Sequence, residues 1–450
     1  MYAPSTIDAN PLRWLIAVAA LLVAWPIHAA ELADTLTRTC DDLLQLAVRR
    51  PYGFGWPADG PSPVGGISVD PTTTASAAFV LYWAGDALDK PAYKSAAIQA
   101  ARGLAAAQLA SGAVPPRIVF FQSKSGGFEH PALVADRRAT CAAEGLFLTI
   151  LDDAGDTDPR LHGSAMWALT WLLHQQPTNG SWPQADPPAT QPKDAIRLIR
   201  LDNGDWRNCT MTMLLAGDVL SNIQARLSVQ HSNDFLLRLR IGDVSQVGKP
   251  LWATAYGMDT FPSARLADLP PGIDVLASRM AMQTLLATDL LIDEPTTRAL
   301  DQAGKNTVAQ AFTDAAATLA KLPRYDGQWM RVYDYDVDAT KPPLPPLDPA
   351  VEAAPLVLQA SRHTGDWGIT AILQTASVLK SEGRKGLIAQ LSTEMNLHQR
   401  FAATICGVED EPLAVKFDPP DSIRLTGDST VQQRILFAWE TLRQLRQISR

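Results

Sequence analysis

The 450-residue chain is poor in cysteine, with only Cys40, Cys141, Cys209 and Cys406, and their spacings match no zinc motif. In an oxidising compartment three disulfide pairings are open, and buried free thiols are the plain alternative. A basic excess is also missing. The 39 Lys and Arg residues are outnumbered by 47 Asp and Glu, giving a net charge of −8. That excludes the broad positive footprint that general nucleic-acid or anionic-membrane binding needs. No phosphate loop and no serine or cysteine nucleophile motif stands out, and β-branched clusters are scarce. Seven histidines are scattered; His130 lies close to Asp136, but one histidine makes no metal site.

What is present begins with a short apolar run. Residues 14–25 follow Arg13 and precede Ile27-His28-Ala29-Ala30, which has the small residues of a cleavage site. Residues 1–30 are therefore expected to be a secretory signal, the run being short of the ~18 residues of a span. No later stretch is long and apolar enough to cross a bilayer. The expected mature chain, 31–450, is exported, monomeric and free of membrane once cleaved. With 46% hydrophobic residues it can fill a large core.

Apolar residues recur at helical spacing over 32–48, 73–88, 90–110, 137–154, 160–176, 205–225, 232–244, 273–292, 306–322, 367–381, 385–404 and 429–449. Proline and glycine gather between them, at 51–72, 113–131, 177–193, 261–272 and 341–355. A weak repeat relates residues 105–115 to 171–183, each a helix end, a glycine stop and a proline turn. Stacked helical hairpins of this kind predict an all-α fold, an incomplete α/α toroid with a small β element. That element is expected at Arg331–Asp338, where apolar and acidic residues alternate. Its three aspartates do not make a calcium loop, because Ala339 replaces the turn glycine and Pro345 the closing glutamate.

Polar chemistry concentrates at two predicted helix starts. Asp136 precedes Arg137 and Arg138, and the turn Asp202-Asn203-Gly204-Asp205 precedes Trp206-Arg207. Aspartate at such positions commonly caps a helix. Carboxylates beside guanidiniums also suit a site that holds a hard cation together with an anionic ligand. Arg265 sits in a proline-flanked loop, and Arg331 follows Trp329 closely. Trp56, Trp182 and Trp206 lie in loops where an aromatic face can stack on a sugar, although burial is the commoner use of tryptophan.

In this order the segments resemble polysaccharide lyase family 10, the α/α-toroid pectate lyases. The residues that carry the likeness are Asp136 to Thr140, Trp171 to Gln184 with its Asn179-Gly180-Ser181-Trp182-Pro183 turn, Ile199 to Asn203, Trp252 to Tyr256, Ser263-Ala264-Arg265, and Trp329 to Tyr333. They span about 90–340. The resemblance implies calcium-assisted β-elimination on polygalacturonate or a related acidic polysaccharide. It assigns Asp136 to calcium, Asp202 or Asp205 to a second carboxylate and Arg265 to the base. Arg137, Arg138, Arg207, Arg331 and Trp182 are then expected to hold substrate.

The departures are specific. The family's Phe-Asn-Asp is here Leu201-Asp202-Asn203, Asn-Gly after the first aspartate is Arg137-Arg138, and an expected Arg-Asp-Gly gives way to the proline run 342–346. Two alternatives therefore stand beside the lyase: a degenerate relative that binds glycan, and a toroidal glycoside hydrolase using a carboxylate pair. A terpene-cyclase toroid is disfavoured by the missing Asp-x-Asp-Asp motif.

Overall fold

A computed structural model describes residues 11–50, 53–58, 66–69, 71–120, 128–129, 135–155, 157–183, 198–239, 251–257, 272–291, 302–333, 364–415, 425–426 and 429–448. Four consecutive helical hairpins form its body: α2 (Thr74–Ala87) with α3 (Pro91–Ala106), α4 (Arg137–Ala154) with α5 (Pro159–Gln175), α6 (Asp205–Val219) with α7 (Ile223–Leu239), and α8 (Val275–Leu291) with α9 (Gln302–Lys321). The first helix of each hairpin packs on the first helix of the next, and α3, α5, α7 and α9 likewise follow one another. Burial separates the two rings. In α2, α4, α6 and α8 the buried residues number 12 of 14, 14 of 18, 11 of 15 and 14 of 17, so these helices are enclosed on nearly every side. In α3 and α5 only 6 of 16 and 5 of 17 are buried, the single stripe of an outer helix.

The chain is thus an all-α, incomplete α/α toroid. Helix α10 (Ile369–Leu391) packs on α8 and α9, α11 (Leu397–Ile405) lies against α4 and α6, and α12 (Val431–Ile448) packs on both α2 and α1 (Pro11–Leu46). Helix α1 runs without a break through the expected cleavage site. No helix among the described residues is long and apolar enough to cross a membrane.

The inner helices share one direction. Cys141 and Cys209 occupy the fifth positions of α4 and α6 with their sulfurs 3.6 Å apart, so the two helices are parallel and in register. All four cysteines are buried free thiols. At the far ends of the same pair, His398 of α11 sits 3.1 Å from Asp152 and 2.8 Å from Asp218. The N-termini of the inner helices consequently form one rim.

Short antiparallel pairings decorate that rim, most of them just ahead of an inner helix. They are β1 (Val48–Arg50) with β2 (Gly53–Gly55); β3 (Gly66–Ser68), β4 (Arg117–Phe120) and β5 (Phe128–Glu129); β6 (Ile199–Arg200) with β7 (Ala255–Tyr256); β8 (Ile273–Asp274) with β11 (Val332–Tyr333); and β9 (Arg324–Tyr325), β10 (Gln328–Met330) and β12 (Thr364–Gly365). The expected strand at 331–338 is therefore Val332–Tyr333, paired with Asp274 and Ile273. Residues 334–338 and the proline run lie outside the described residues.

The repeat read at 105–115 and 171–183 has a physical basis. The Gln108 amide donates to the carbonyls of Gly112 (3.1 Å) and Ser164 (3.0 Å), and Gln176 donates to those of Gly180 (3.1 Å) and Ser228 (3.2 Å). Each glutamine ties its own turn to the next outer helix. Both glycines take left-handed φ values, 93° and 84°. A related bond recurs before three inner helices: the amides of Trp56, Val114 and Trp252 each donate, at 3.0 Å, to a hydroxyl of the following helix, on Thr74, Thr140 and Ser278.

Besides the early start of α1 at Pro11 and the end of α3 at Ala106, two breaks between helices differ from the periodicity. The break between α6 and α7 falls at 220–222, not 226–231, because Ser221 turns left-handed (φ 51°) and Asn222 accepts from the Ala225 amide at 3.0 Å. Segment 385–404 is two pieces. Gly383 kinks α10, which continues to Leu391, and a capping box at Asn396 and Gln399 starts α11.

Two predictions follow from these contacts. A Cβ at Gly180 would lie 2.1 Å from the His231 carbonyl oxygen, so Gly180→Ala should lower unfolding stability in urea by more than about 1 kcal/mol. Burial opposes charge on His398, but hydrogen bonds to Asp152 and Asp218 and their charges raise its pKa from 6.5 to about 9. The clamp should be fully stabilising below pH 6.5 and lose its contribution as pH rises through about 9. His398→Gln should therefore flatten that part of a melting-temperature profile; an unchanged alkaline slope would remove the clamp from the account.

Candidate functional site at the rim

Asp136 N-caps α4, its Oδ1 accepting from the Ala139 amide at 2.7 Å. A residue later Arg137 turns inward, buried, with its Nε unpartnered. Arg138 turns outward and pairs with Asp205, joining the start of α4 to the start of α6. Asp205 also accepts from Asn203 Nδ2 at 3.1 Å, while Asn203 Oδ1 receives the Asp205 amide at 3.1 Å. The turn is closed by its own side chains.

Asp202 lies deeper. Arg200 grips it in a bidentate pair, Nε to Oδ1 at 3.0 Å and Nη2 to Oδ2 at 2.9 Å. Arg331 adds a third bond to Oδ2 at 3.2 Å and also holds Asp274, from Nε at 2.9 Å and from Nη2 at 3.1 Å. Asp274 is fully buried and receives the Thr254 hydroxyl (2.8 Å) and the amides of Leu276 (2.8 Å) and Ala277 (3.2 Å) at the start of α8. The Arg331 guanidinium lies 5.5 Å from the centre of the Trp367 ring. One arginine thereby links the turn before α6, the start of α8 and the segment before α10.

A third knot joins the first turn of α6 to the first half of α8. Arg207 donates through Nη1 to Gln283 Oε1 (3.0 Å) and to Asp410 Oδ1 (3.1 Å), and Arg279 donates through Nη2 to Asp410 Oδ2 at 2.6 Å. Burial lowers the Arg207 pKa, only partly opposed by the charge of Asp410. Desolvation of its oxygens against the buried arginines would raise the Asp410 pKa although much of the side chain meets solvent, but the charges of Arg207 and Arg279 outweigh it and hold the carboxyl well below its ordinary range.

Seven of the residues singled out from sequence, Asp136, Arg137, Arg138, Asp202, Asp205, Arg207 and Arg331, belong to this rim. Arg265 lies outside the described residues. Trp182 requires a correction: it is 1% exposed and its indole N–H donates to Ser232 Oγ at 2.9 Å, so it presents no face to a sugar. Trp56 and Trp206 are buried as well, Trp206 stacked on Phe235 with ring centres 5.3 Å apart. These tryptophans wedge turns into the core.

Sequence reasoning missed Arg200, Asp274, Arg279, Asp410, Trp367 and Glu144. Arg200 was within reach, since in a strand it shares a face with Asp202. The others depend on contacts between segments far apart in the chain. Glu144 is fully buried on α4, two turns below the rim, with neither carboxylate oxygen partnered. Burial without a partner raises its pKa well above the usual carboxylate range.

Among the described residues no group of three or more acids, histidines or cysteines is gathered as a metal site. Asp202 does not fit a calcium ligand as it stands, because both oxygens are occupied by guanidiniums. Asp136 fits better: half-buried on the rim, it commits one oxygen to the helix cap and has the other available.

No protein family and no curated protein matches the chain. Among solved structures, a family 10 polysaccharide lyase from Cellvibrio cellulosa aligns with 61% of this chain and 90% of its own, at 14% identity and a TM-score of 0.40. The unsaturated glucuronyl hydrolase of Bacillus sp. GL1, responsible for glycosaminoglycan degradation, aligns with 93% of this chain and 96% of its own, at 14% identity and a TM-score of 0.45. A cold-adapted family 8 xylanase covers 78% of this chain and 91% of its own, at 13% identity and a TM-score of 0.37. Likeness at that level says nothing about this chain's substrate or residues.

The rim carries one stability prediction. Asp274→Ala would leave Arg331 with Asp202 as its remaining acidic partner and uncap α8, and should cost about 2–4 kcal/mol in chemical denaturation. A cost under about 1 kcal/mol would mean that Asp202 alone satisfies Arg331 and that the α8 cap adds little.

Proposed function

We propose that the chain is an exported lyase that cleaves polygalacturonate or a related acidic polysaccharide by calcium-assisted β-elimination. The observation that carries this reading is the alternation of carboxylates and guanidiniums along a single rim, over the N-terminal ends of parallel inner helices. Helix N-termini and arginines favour an anionic ligand, and an exposed carboxylate oxygen favours a hard cation beside it.

In this reading Asp136 would hold calcium together with a uronate carboxylate. Bound there, calcium would supply neutralisation of that carboxylate and so make the proton at C5 more acidic. Arg138, the outward guanidinium of the α4 turn, is placed to orient a neighbouring uronate, and Arg137 lends positive potential from below. Arg331, pinned by Asp202 and Asp274, holds the floor of the site in place. The proton is taken by Arg265, a role that rests on the family resemblance. Because a guanidinium is protonated at ordinary pH, activity should rise toward alkaline pH.

Asp202 favours one second reading. Arg200 and Arg331 give its two oxygens three hydrogen bonds and set two positive charges beside them, which disfavours a cation there and is what a glycan-binding relative without turnover would show.

Incubation with polygalacturonate and calcium at alkaline pH should produce the ultraviolet absorbance of an unsaturated product. Asp136→Ala and Arg265→Lys should each reduce that rate by at least about 100-fold while leaving the melting temperature within a few degrees. Binding with a flat absorbance trace would favour the degenerate relative. New reducing ends without absorbance would establish hydrolysis instead.

A further inference from the structure

The Arg207–Arg279 pair has an unusual counter-ion. Both arginines are buried, at 5% and 3% exposure, whereas the Asp410 side chain that bridges them is 63% exposed. The carboxylate therefore reaches the pair from the solvent side, like a ligand laid over a prepared floor. That floor is built by other residues. Gln283 Oε1 accepts from Arg207 at 3.0 Å, Glu411 Oε1 accepts from Arg279 Nη1 at 3.3 Å, and Gly368 leaves the space: a Cβ there would stand 2.4 Å from Arg279 Nη1. The Arg279 Nε is buried and unpartnered, a donor still to be satisfied.

The backbone on either side of Asp410 is tied down independently of its carboxylate. Glu409 is bound by Arg443 and by the Trp439 indole at 3.4 Å, and Gly407, at φ 77°, closes against the Pro71 carbonyl. The Asp410 carbonyl also accepts from Arg207 at 3.0 Å. Rotation of the Asp410 side chain would thus uncover the two guanidiniums without dismantling the segment. A carboxylate from solution would find two charge-assisted donors in the positions that Asp410 now uses.

We propose that Arg207 and Arg279 form a carboxylate-binding subsite of the rim, that Asp410 fills it as an internal stand-in, and that an acidic sugar enters by displacing that side chain. Asp410 then sets the threshold for binding: only a ligand that brings its own carboxylate repays the displaced pair, and a neutral sugar does not. The inference takes from the proposed function only the choice of a uronate as probe, and binding is read without turnover.

Calorimetric titration with galacturonate, and with galactose as the neutral counterpart, tests it. Asp410→Ala should bind galacturonate about tenfold more tightly than the unaltered protein, with galactose unchanged, and adding Arg279→Gln should abolish the gain. Unchanged galacturonate affinity in folded Asp410→Ala, or an equal gain for galactose, would overturn the subsite. Should Asp410→Ala fail to fold, the near-isosteric Asp410→Asn is held to the same criterion, and failure of both to fold would mark Asp410 as a purely structural counter-ion, which also overturns it. A galacturonate gain in a protein that never cleaves polygalacturonate would remove the lyase reading and leave the subsite standing.

Discussion

Parallel packing of the inner helices is the constraint from which the rest follows. With α4 and α6 parallel and the start of α8 tied to that of α6 through Arg331, the positive ends of these dipoles collect on one face. That face attracts carboxylates, and carboxylates there admit arginines in turn. Asp136 and Asp274 cap α4 and α8, Asp205 opens α6, and Arg138, Arg200, Arg279 and Arg331 bind the acids into a lattice. The same geometry that stabilises each helix start also concentrates the groups able to hold an acidic ligand.

The lattice is continuous with the end of the chain. Residues Glu409, Asp410 and Glu411 each pair with a different set: Arg443 of α12, the Arg207–Arg279 pair, and Arg279. Arg443 also holds Glu394, at 2.7 Å, which in turn takes the Gln447 amide. Helix α12 packs on α2 and α1, and the segment 409–411 ahead of it reaches the rim. On the opposite face, the His398 clamp joins the far ends of α4 and α6.

Much of the fold was legible because its signals are local. Helical periodicity, Gly112 and Gly180 with their prolines, and Asp136 ahead of α4 each act within a few residues, and the repeat they form already implied stacked hairpins. The breaks at Ser221 and Asn396 were misread because a side chain caps there while the apolar pattern runs on. Trp182 showed the limit of composition: a tryptophan in a polar turn reads as a sugar platform until Ser232, fifty residues away in the chain, takes its indole N–H. The site was legible as a list of acids and arginines, but not as pairs. Nothing local in the chain announces that Arg331 will bridge Asp202 and Asp274, or that Asp410 will cover Arg207 and Arg279.

In the proposed function an acidic ligand is held at the rim over the N-termini of α4, α6 and α8. Hydrogen–deuterium exchange of the full chain, with and without trigalacturonate and calcium, tests it most directly. Protection is expected in the turn 135–140 and in the segment 198–207, with the α4, α6 and α11 residues around His398 unchanged. Protection confined to the His398 face, or absent from both rim segments under saturating ligand, would contradict the claim.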